Sequence, residues 1–561
     1  MTVSKTSSEF KGLPTPIKIV GLLGFLTTVL VNPWTATDAV NLIKLGVICI
    51  GGFILIPSVM KRSVIAEKIK FNKLILTLSL IFLAQLIATV IFSGGSFAQQ
   101  LYGVFGRNNG FIAYFSLTII FLACVFYVEK LGLRLILAAF FLTGFLSTIY
   151  GTIQSYRVDP IKWTSWNPVI GFLGNTNFQA SLLGMFGVLL AAVVLQNTRN
   201  LRLLIPSLLL LIQVVRIILS TSSQQGILVL LIGVVVILWL RLRSLNHVVL
   251  LSAFSISTLI GVLFLILGTL QIGFFKDYVY KDSVSFRGDY WRAGYRMILD
   301  HPLFGVGLDS YGAWYRQYRD VTATLRRGPE VVSDNAHNVF IDFGANGGLI
   351  LFFAYLGICI FVLFSAIKVL RRSTDFDPYF STLLALWVGF QAQSVISINQ
   401  LGLAVWGWIF GGAIIGYAFN SREPSGELIR NTNIRGANTV LKNGAVKMTL
   451  GGLVGLILVV PTFLSDSSLH KAQVSGLPQD FANASNVWPP DETRLLKIGM
   501  VYFNNAYYIE AHQVFLKVTQ NFPRSFDAWQ MIANLPNSSE SEKKKAISIL
   551  KSLDPHNSKL Q

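Results

Sequence analysis

A chain of 561 residues that is 53% hydrophobic, 13% charged and +0.58 in mean hydropathy carries more apolar surface than a water-soluble fold can hide. Runs of about 20 apolar residues, the length that crosses a bilayer core, recur along it, which excludes a soluble enzyme and predicts a polytopic membrane protein. The formal net charge of +19 invites a nucleic-acid reading, and the placement of the charges argues against one.

Thirteen apolar spans are predicted, over 17–32, 38–58, 73–93, 110–127, 132–150, 178–195, 201–220, 226–240, 247–270, 346–368, 379–398, 402–419 and 448–464. The first begins after Lys5, Lys11 and Lys18, and no small-residue cleavage site follows Val20–Val31, so it reads as a spanning helix rather than a signal peptide. Connections numbered alternately from the inside carry 22 lysines and arginines on the inner side. The short outer loops carry Arg107, Arg157 and Lys162. Cytoplasmic loops hold such an excess, so the amino terminus is expected in the cytoplasm and the carboxyl-terminal tail outside, in the inner (plasma) membrane. The basic charge is thus a topology signal, and no nucleic-acid partner is expected. Cys49, Cys124 and Cys359 all fall inside spans and read as apolar filler.

The fold class expected is all-α: about 12–13 transmembrane helices, a large extracytoplasmic loop and a small helical C-terminal domain. The expected division is a membrane core over 1–419 with its large loop at 271–345, a cytoplasmic linker over 420–447, a last span at 448–464 and an extracytoplasmic domain over 465–561.

The first three spans hold few polar residues and read as scaffold. The loop before span four contains Arg107-Asn108-Asn109-Gly110, either an interfacial arginine in a loose turn or a functional one. Between spans five and six, Trp163 and Trp166 suit a membrane interface, and Gly174-Asn175-Thr176-Asn177 is a tight polar corner. An N-cap at Asn175 or Asn177 explains part of that corner without any function. Near the outer end of span seven, Arg216 shares a helix face with Gln213 and Ser220. A charge at that depth faces a polar cavity or snorkels to the headgroups, and the cavity is the favoured reading.

The stretch Phe286–Leu349 is polar, aromatic and rich in arginine. Its first part predicts an amphipathic helix capped by Ser285, with Phe286, Tyr290, Ala293 and Met297 in one stripe and Asp300-His301-Pro302 as its stop. Arginines at the edge of a helix lying on the membrane are the alternative. At the far end, Asp334 or Asn335 is expected to cap span ten and so place His337 in its first turn, where the positive helix end opposes protonation. Asn335, Asn338 and Asp342 share a face beside it. In the tail, Leu495–Tyr507, Ile509–Asn521, Phe526–Leu535 and Ser541–Leu553 predict short paired helices. Ala511, Phe515, Pro523 and Trp529 resemble a degenerate tetratricopeptide repeat.

No phosphate loop, dinucleotide glycine fingerprint, CxxC or HExxH is present. No metal and no cofactor is therefore expected. Arginine forks suit phosphate oxygens, and a neutral histidine suits removing a hydroxyl proton. A lipid-linked pyrophosphate glycan reacting with an acceptor needs both.

The chain resembles the O-antigen ligase and polymerase family of integral-membrane glycosyltransferases from about Arg107 to Phe364. The residues carrying the resemblance are GVFGRNNGF, the Gln154-Asp159-Pro160-Trp163-GNTNF loop, the TSSQQG corner, and FRGDYW…HPLFGVGLDSY…DNAHNVFIDFGANGGL. The last is the most specific, with Arg287, Trp291, Pro302, Gly305-Val306-Gly307 and His337-Asn338 in order. The resemblance implies that Arg287 binds the donor pyrophosphate, that His337 activates the acceptor hydroxyl, and that the sugar anomer inverts. Where the family has Ser-Arg-Gly, this chain has Ser223-Gln224-Gln225-Gly226, so one family arginine is missing and Arg216 is the candidate replacement. The expected substrate-binding set is Arg216, Arg107, Arg292, Asn338, Gln224, Asn175, Asn177 and Trp291. The expected partners are a lipid-linked glycan donor and a lipid, cell-wall or protein acceptor. Polymerase and protein O-oligosaccharyltransferase share these motifs. A transporter, the reading from another class, would gather its polar residues at the midplane rather than at one edge.

Overall fold

The structure, a computed structural model, describes residues 12–163, 165–269, 272–275, 282–420 and 434–560, with the backbone path alone for 62–72, 269, 275, 282–285 and 434–443. The described residues form helices and connecting loops, with no strand among them. All thirteen expected spans fall on helices. They are α1 (Thr15–Val29), α2 (Asn41–Val59), α3 (Arg62–Phe92), α5 (Phe111–Tyr127), α6 (Lys130–Ser155), α7 (Thr176–Gln196), α8 (Leu201–Ser220), α9 (Gln225–Ser244), α10 (Val248–Thr269), α14 (Val339–Arg372), α15 (Pro378–Ile396), α16 (Leu401–Asn420) and α17 (Ile434–Ser475). Eleven of them are long and apolar enough to cross a membrane, while α1 and α5 are shorter apolar helices. The expected linker over 420–447 lies partly outside the described residues, and from Ile434 the chain is already in α17.

Burial sorts the bundle. In α16 nearly every side chain is buried, whereas α10 buries none of its hydrophobic window and packs mainly on α9 among the described spans. A helix apolar on all sides has no amphipathic reason to choose a face, so its glycines and polar contacts decide. On α16, Gly402 O accepts from Thr28 Oγ1 at 2.7 Å, and Trp406 Nε1 donates to the same hydroxyl at 2.9 Å.

The large loop folds into α11 (Asp282–Asp300), α12 (Tyr311–Tyr318) and α13 (Val321–Arg327). α11 starts at Asp282, three residues before the expected cap Ser285, whose side chain lies outside the described residues. It stops at Asp300, as the Asp-His-Pro signal predicts. The HPLFGVG turn then inserts into a break in α14. Gly348 takes φ +79°, and a Cβ there would meet Leu303 O at 2.5 Å. The freed backbone groups are taken up locally. Leu349 N donates to Pro302 O at 2.8 Å, Val306 N to Ala345 O at 2.8 Å, and Gln85 of α3 donates to Leu303 O and Gly347 O.

The tail after α17 forms α18 (Pro478–Asn486), α19 (Glu492–Asn504), α20 (Tyr508–Asn521), α21 (Phe526–Asn534) and α22 (Glu540–Leu553) around its own core of Leu495, Phe515 and Trp529. It is docked on the loops. Arg319, 1% exposed, forks onto Asp554, 0% exposed, at 2.8 and 2.6 Å, and Asp466 accepts from the Thr37 and Asp38 backbone N–H groups. These contacts place the tail on the same face of the bundle as Arg107 and the large loop.

Candidate active site

The site begins where the loop becomes α14. Asn338, rather than Asp334 or Asn335, is the N-cap: its side-chain oxygen accepts from Phe340 N at 3.0 Å and Ile341 N at 3.2 Å. His337 therefore precedes the helix and does not lie in its first turn. The expected caps fail because the chain between them and Val339 is not helical: His337 adopts φ +52°. That conformation costs a non-glycine residue about 1–3 kcal/mol, and such strain persists only when neighbours impose it. Here Asn338 holds one side, and Asp342 Oδ1 holds the other by accepting from Ala336 N at 2.8 Å.

α11 is brought against this turn by Gly294, where a Cβ would stand 2.6 Å from Ile341 Cγ2. The approach stacks Tyr290 on the His337 imidazole, with centroids 5.5 Å apart and planes at 29°. Tyr311, fully buried, fixes that turn of α11 by donating to Tyr290 O at 2.6 Å. Arg287 lies one turn earlier. It is half-buried, and it makes no hydrogen bond or ion pair among the described residues. Burial lowers its pKa from the usual value. Burial is also the main reason that the His337 pKa falls to about 4, with the Arg287 and Arg107 charges adding to it and Asp334 opposing. At neutral pH this imidazole is unprotonated.

Arg107 closes the other side. Its Nη2 is 3.2 Å from Asp309 Oδ1 and its Nη1 3.4 Å from Asp334 Oδ2. Burial pushes the Asp309 carboxyl up and Arg107 opposes that push. Asp309 also accepts from Val104 N at 2.7 Å, so the arginine is anchored to the turn it belongs to. Beside it opens a cavity of about 340 Å³ lined by Arg107, Asn175, Asn41, Asn399 and Gln400, with Leu173 and Phe178 as apolar walls. Asn175 is the N-cap of α7, accepting from Asn177 N at 2.8 Å, and still lines this cavity.

The other expected residues stand apart. Asn177 accepts from Ser223 Oγ at 2.7 Å, which joins the GNTNF and TSSQQG corners, while Gln224 is exposed at the start of α9. Arg216 does not line the cavity. It donates to Gln213 Oε1 at 3.1 Å and Ser155 Oγ at 3.0 Å and lies 4.8 Å from the Tyr156 ring. Arg292 is committed to Asp320 at 2.7 Å and to Asp289. Trp291 Nε1 is buried without a hydrogen-bond partner among the described residues.

Sequence reasoning passed over Tyr290, Asp309, Asp38 and Asn41. Asp309 stands in the GLDSY motif, and that was its signal. Asp38 and Asn41 fall at the start of a span read as scaffold, and nothing local marks them: both line the cavity, and Asn41 meets Gln400, whose Nε2 donates to Asn41 Oδ1 at 3.0 Å across 359 residues.

The fold and this cluster define a polytopic helical membrane protein with an arginine- and histidine-bearing site built from its loops. Residues 208–356 match the O-antigen ligase family, which bears out the family resemblance over that stretch. The Arg107 and GNTNF parts of the resemblance lie outside it. No curated protein matches the chain.

Proposed function

We propose that this protein transfers a glycan from an undecaprenyl-pyrophosphate-type lipid to an acceptor hydroxyl, on the membrane face that the charge distribution puts outside. The observation that carries the reading is the nearness of His337, in the turn before α14 with its pKa lowered to about 4, to Arg287 of α11, whose charge contributes to that lowering and which has no ion-pair partner among the described residues. A half-buried guanidinium without a carboxylate is a ready site for a phosphate oxygen.

In this mechanism His337 takes the proton of the acceptor hydroxyl. The oxygen attacks the anomeric carbon from the face opposite the leaving group, the sugar–phosphate bond breaks, and its electron pair leaves with the lipid pyrophosphate. Arg287 holds that leaving charge, with Arg107 behind it. A pyrophosphate on Arg287 also cancels part of the field that depresses the His337 pKa, so the base strengthens once the donor is bound. The cavity beside Arg107 and Asn175 receives sugar. Arg216, Gln224 and Asn177 belong to the adjoining corner, and Trp291 and Arg292 to the back of α11.

The match of residues 208–356 to the O-antigen ligase family supports the reaction class. The docking of the tail on the large loop favours, as a second reading, a protein as acceptor. Reconstituted protein given a lipid-pyrophosphate oligosaccharide and lipid or protein acceptors tests both readings. Transfer that persists in Arg287→Ala and His337→Gly would overturn the mechanism, and the acceptor consumed decides between ligase and protein glycosylation.

A further inference from the structure

The exposed side of α11 carries Arg292, Tyr295, Arg296 and Leu299 at i, i+3, i+4 and i+7, one helical stripe, while Asp289, Ala293 and Met297 are buried behind it. Tyr295 is 60% and Leu299 58% exposed, a large apolar display for a helix outside the membrane spans. The end of the helix meets a spanning segment. The Leu303 carbonyl is held by Gln85 Nε2 at 2.6 Å, and Phe304 packs on Phe92 with centroids 5.2 Å apart. Gln85 and Phe92 belong to the last turns of α3, where Ile91 and Phe92 are each 63% exposed as a lipid-facing helix requires. Leu299 and Leu303 thus continue the lipid-facing surface of α3. Arg292 lies seven residues back, roughly 10 Å along a helix rising 1.5 Å per residue, on the same exposed face, so the arginines flank the apolar end as they do in helices that lie in the headgroup layer.

The arginines are ordered for an anion. Asp320 holds Arg292 Nε at 2.7 Å and also pairs Arg296, and Asp289 pairs Arg292, Arg326 and Arg327, so four guanidinia face these two carboxylates, and with the exposed Asp300 at the end of the helix counted the patch still keeps an excess of one positive charge. From the continuity of Leu299 with the spanning surface and this excess of positive charge, we infer that α11 lies in the bilayer interface and that Arg292 and Arg296 bind the headgroups of anionic phospholipids.

The native cysteines Cys49, Cys124 and Cys359 are buried, so an environment-sensitive fluorophore on Leu299→Cys in the full chain reports this helix alone. It is read in phosphatidylcholine vesicles with and without phosphatidylglycerol, and with a lipid-borne quencher. The label is expected to be quenched from the bilayer and to shift to the blue when phosphatidylglycerol is present. That added shift is lost in Arg292→Gln/Arg296→Gln and kept in Arg296→Lys. No quenching overturns the inference and leaves the stripe to a protein partner. Quenching indifferent to phosphatidylglycerol, or a shift reproduced by inorganic phosphate in pure phosphatidylcholine, overturns the headgroup assignment. Loss of the shift in Arg296→Lys as well overturns it in favour of a purely structural role for the arginine.

Discussion

The imidazole of His337 lies against the ring of Tyr290, centroids 5.5 Å apart, in a turn whose φ of +52° only its neighbours make tolerable. This imidazole is therefore placed by two helices, α11 and α14, and by strain, not by its own helical register.

That strain gives a clean variant. Glycine adopts positive φ without penalty, so His337→Gly is expected to keep the thermal midpoint of the wild type and to lose transfer by roughly 10²–10⁴-fold, the usual contribution of a general base. His337→Ala is expected to lose transfer equally and to melt below His337→Gly, since alanine, like histidine, pays for the conformation and also loses the stacking on Tyr290. Thermal unfolding and a transfer assay, run on both, separate the two effects.

The pH dependence follows from the same residue. Its folded-state pKa is about 4, below the usual 6.5, because burial and then Arg287 and Arg107 disfavour the charged form. The unfolded chain then binds more protons between these values, so the His337 contribution to stability is complete above about 6.5 and is lost as pH falls toward 4. In catalysis, Arg287→Ala removes one depressing charge, and the acid limb of its residual kcat/KM is expected to move to higher pH. A limb that stays in place would show that Arg287 does not face the base.

The tail is tied to the site through Arg319 and Asp554. Removing one partner of a buried pair leaves an uncompensated charge and costs about 3–5 kcal/mol. Asp554→Ala is expected to free the tail to limited proteolysis and to lower transfer, because α12 links Arg319 to Tyr311 and hence to Tyr290. Arg319→Met with Asp554→Leu is expected to recover only part of the stability, because Arg316, whose Nη1 is 3.3 Å from Asp554 Oδ2, then loses its carboxylate, and a double-mutant cycle reads the Arg319–Asp554 coupling.

Arg216 and Arg107 are expected to differ. Arg107→Ala breaks contacts to Asp309 and Asp334 beside His337, whereas Arg216→Ala loses Gln213, Ser155 and Tyr156 at the α6–α8 seam. Transfer assays on the two variants are expected to show the larger loss for Arg107→Ala. The reverse order would restore Arg216 to the centre of the site.

Chain order and hydropathy alone determined the spans, because a bilayer imposes length and apolarity locally and each helix satisfies its own backbone. The same local chemistry marked the stop of α11 at Asp300 and narrowed the cap of α7 to Asn175 or Asn177, of which Asn175 is the cap. The residue types of the site, arginine and histidine in one outer loop, were legible for the same reason: their chemistry does not depend on partners. Tertiary structure alone decided which of them are available. Arg292 and Arg287, five residues apart on one helix, differ because Asp320 and Asp289 hold the first, and among the described residues no carboxylate pairs with the second. The cap at Asn338, the left-handed turn at His337 and the meeting of Asn41 with Gln400 arise likewise from contacts between distant segments, whose energies no local window contains.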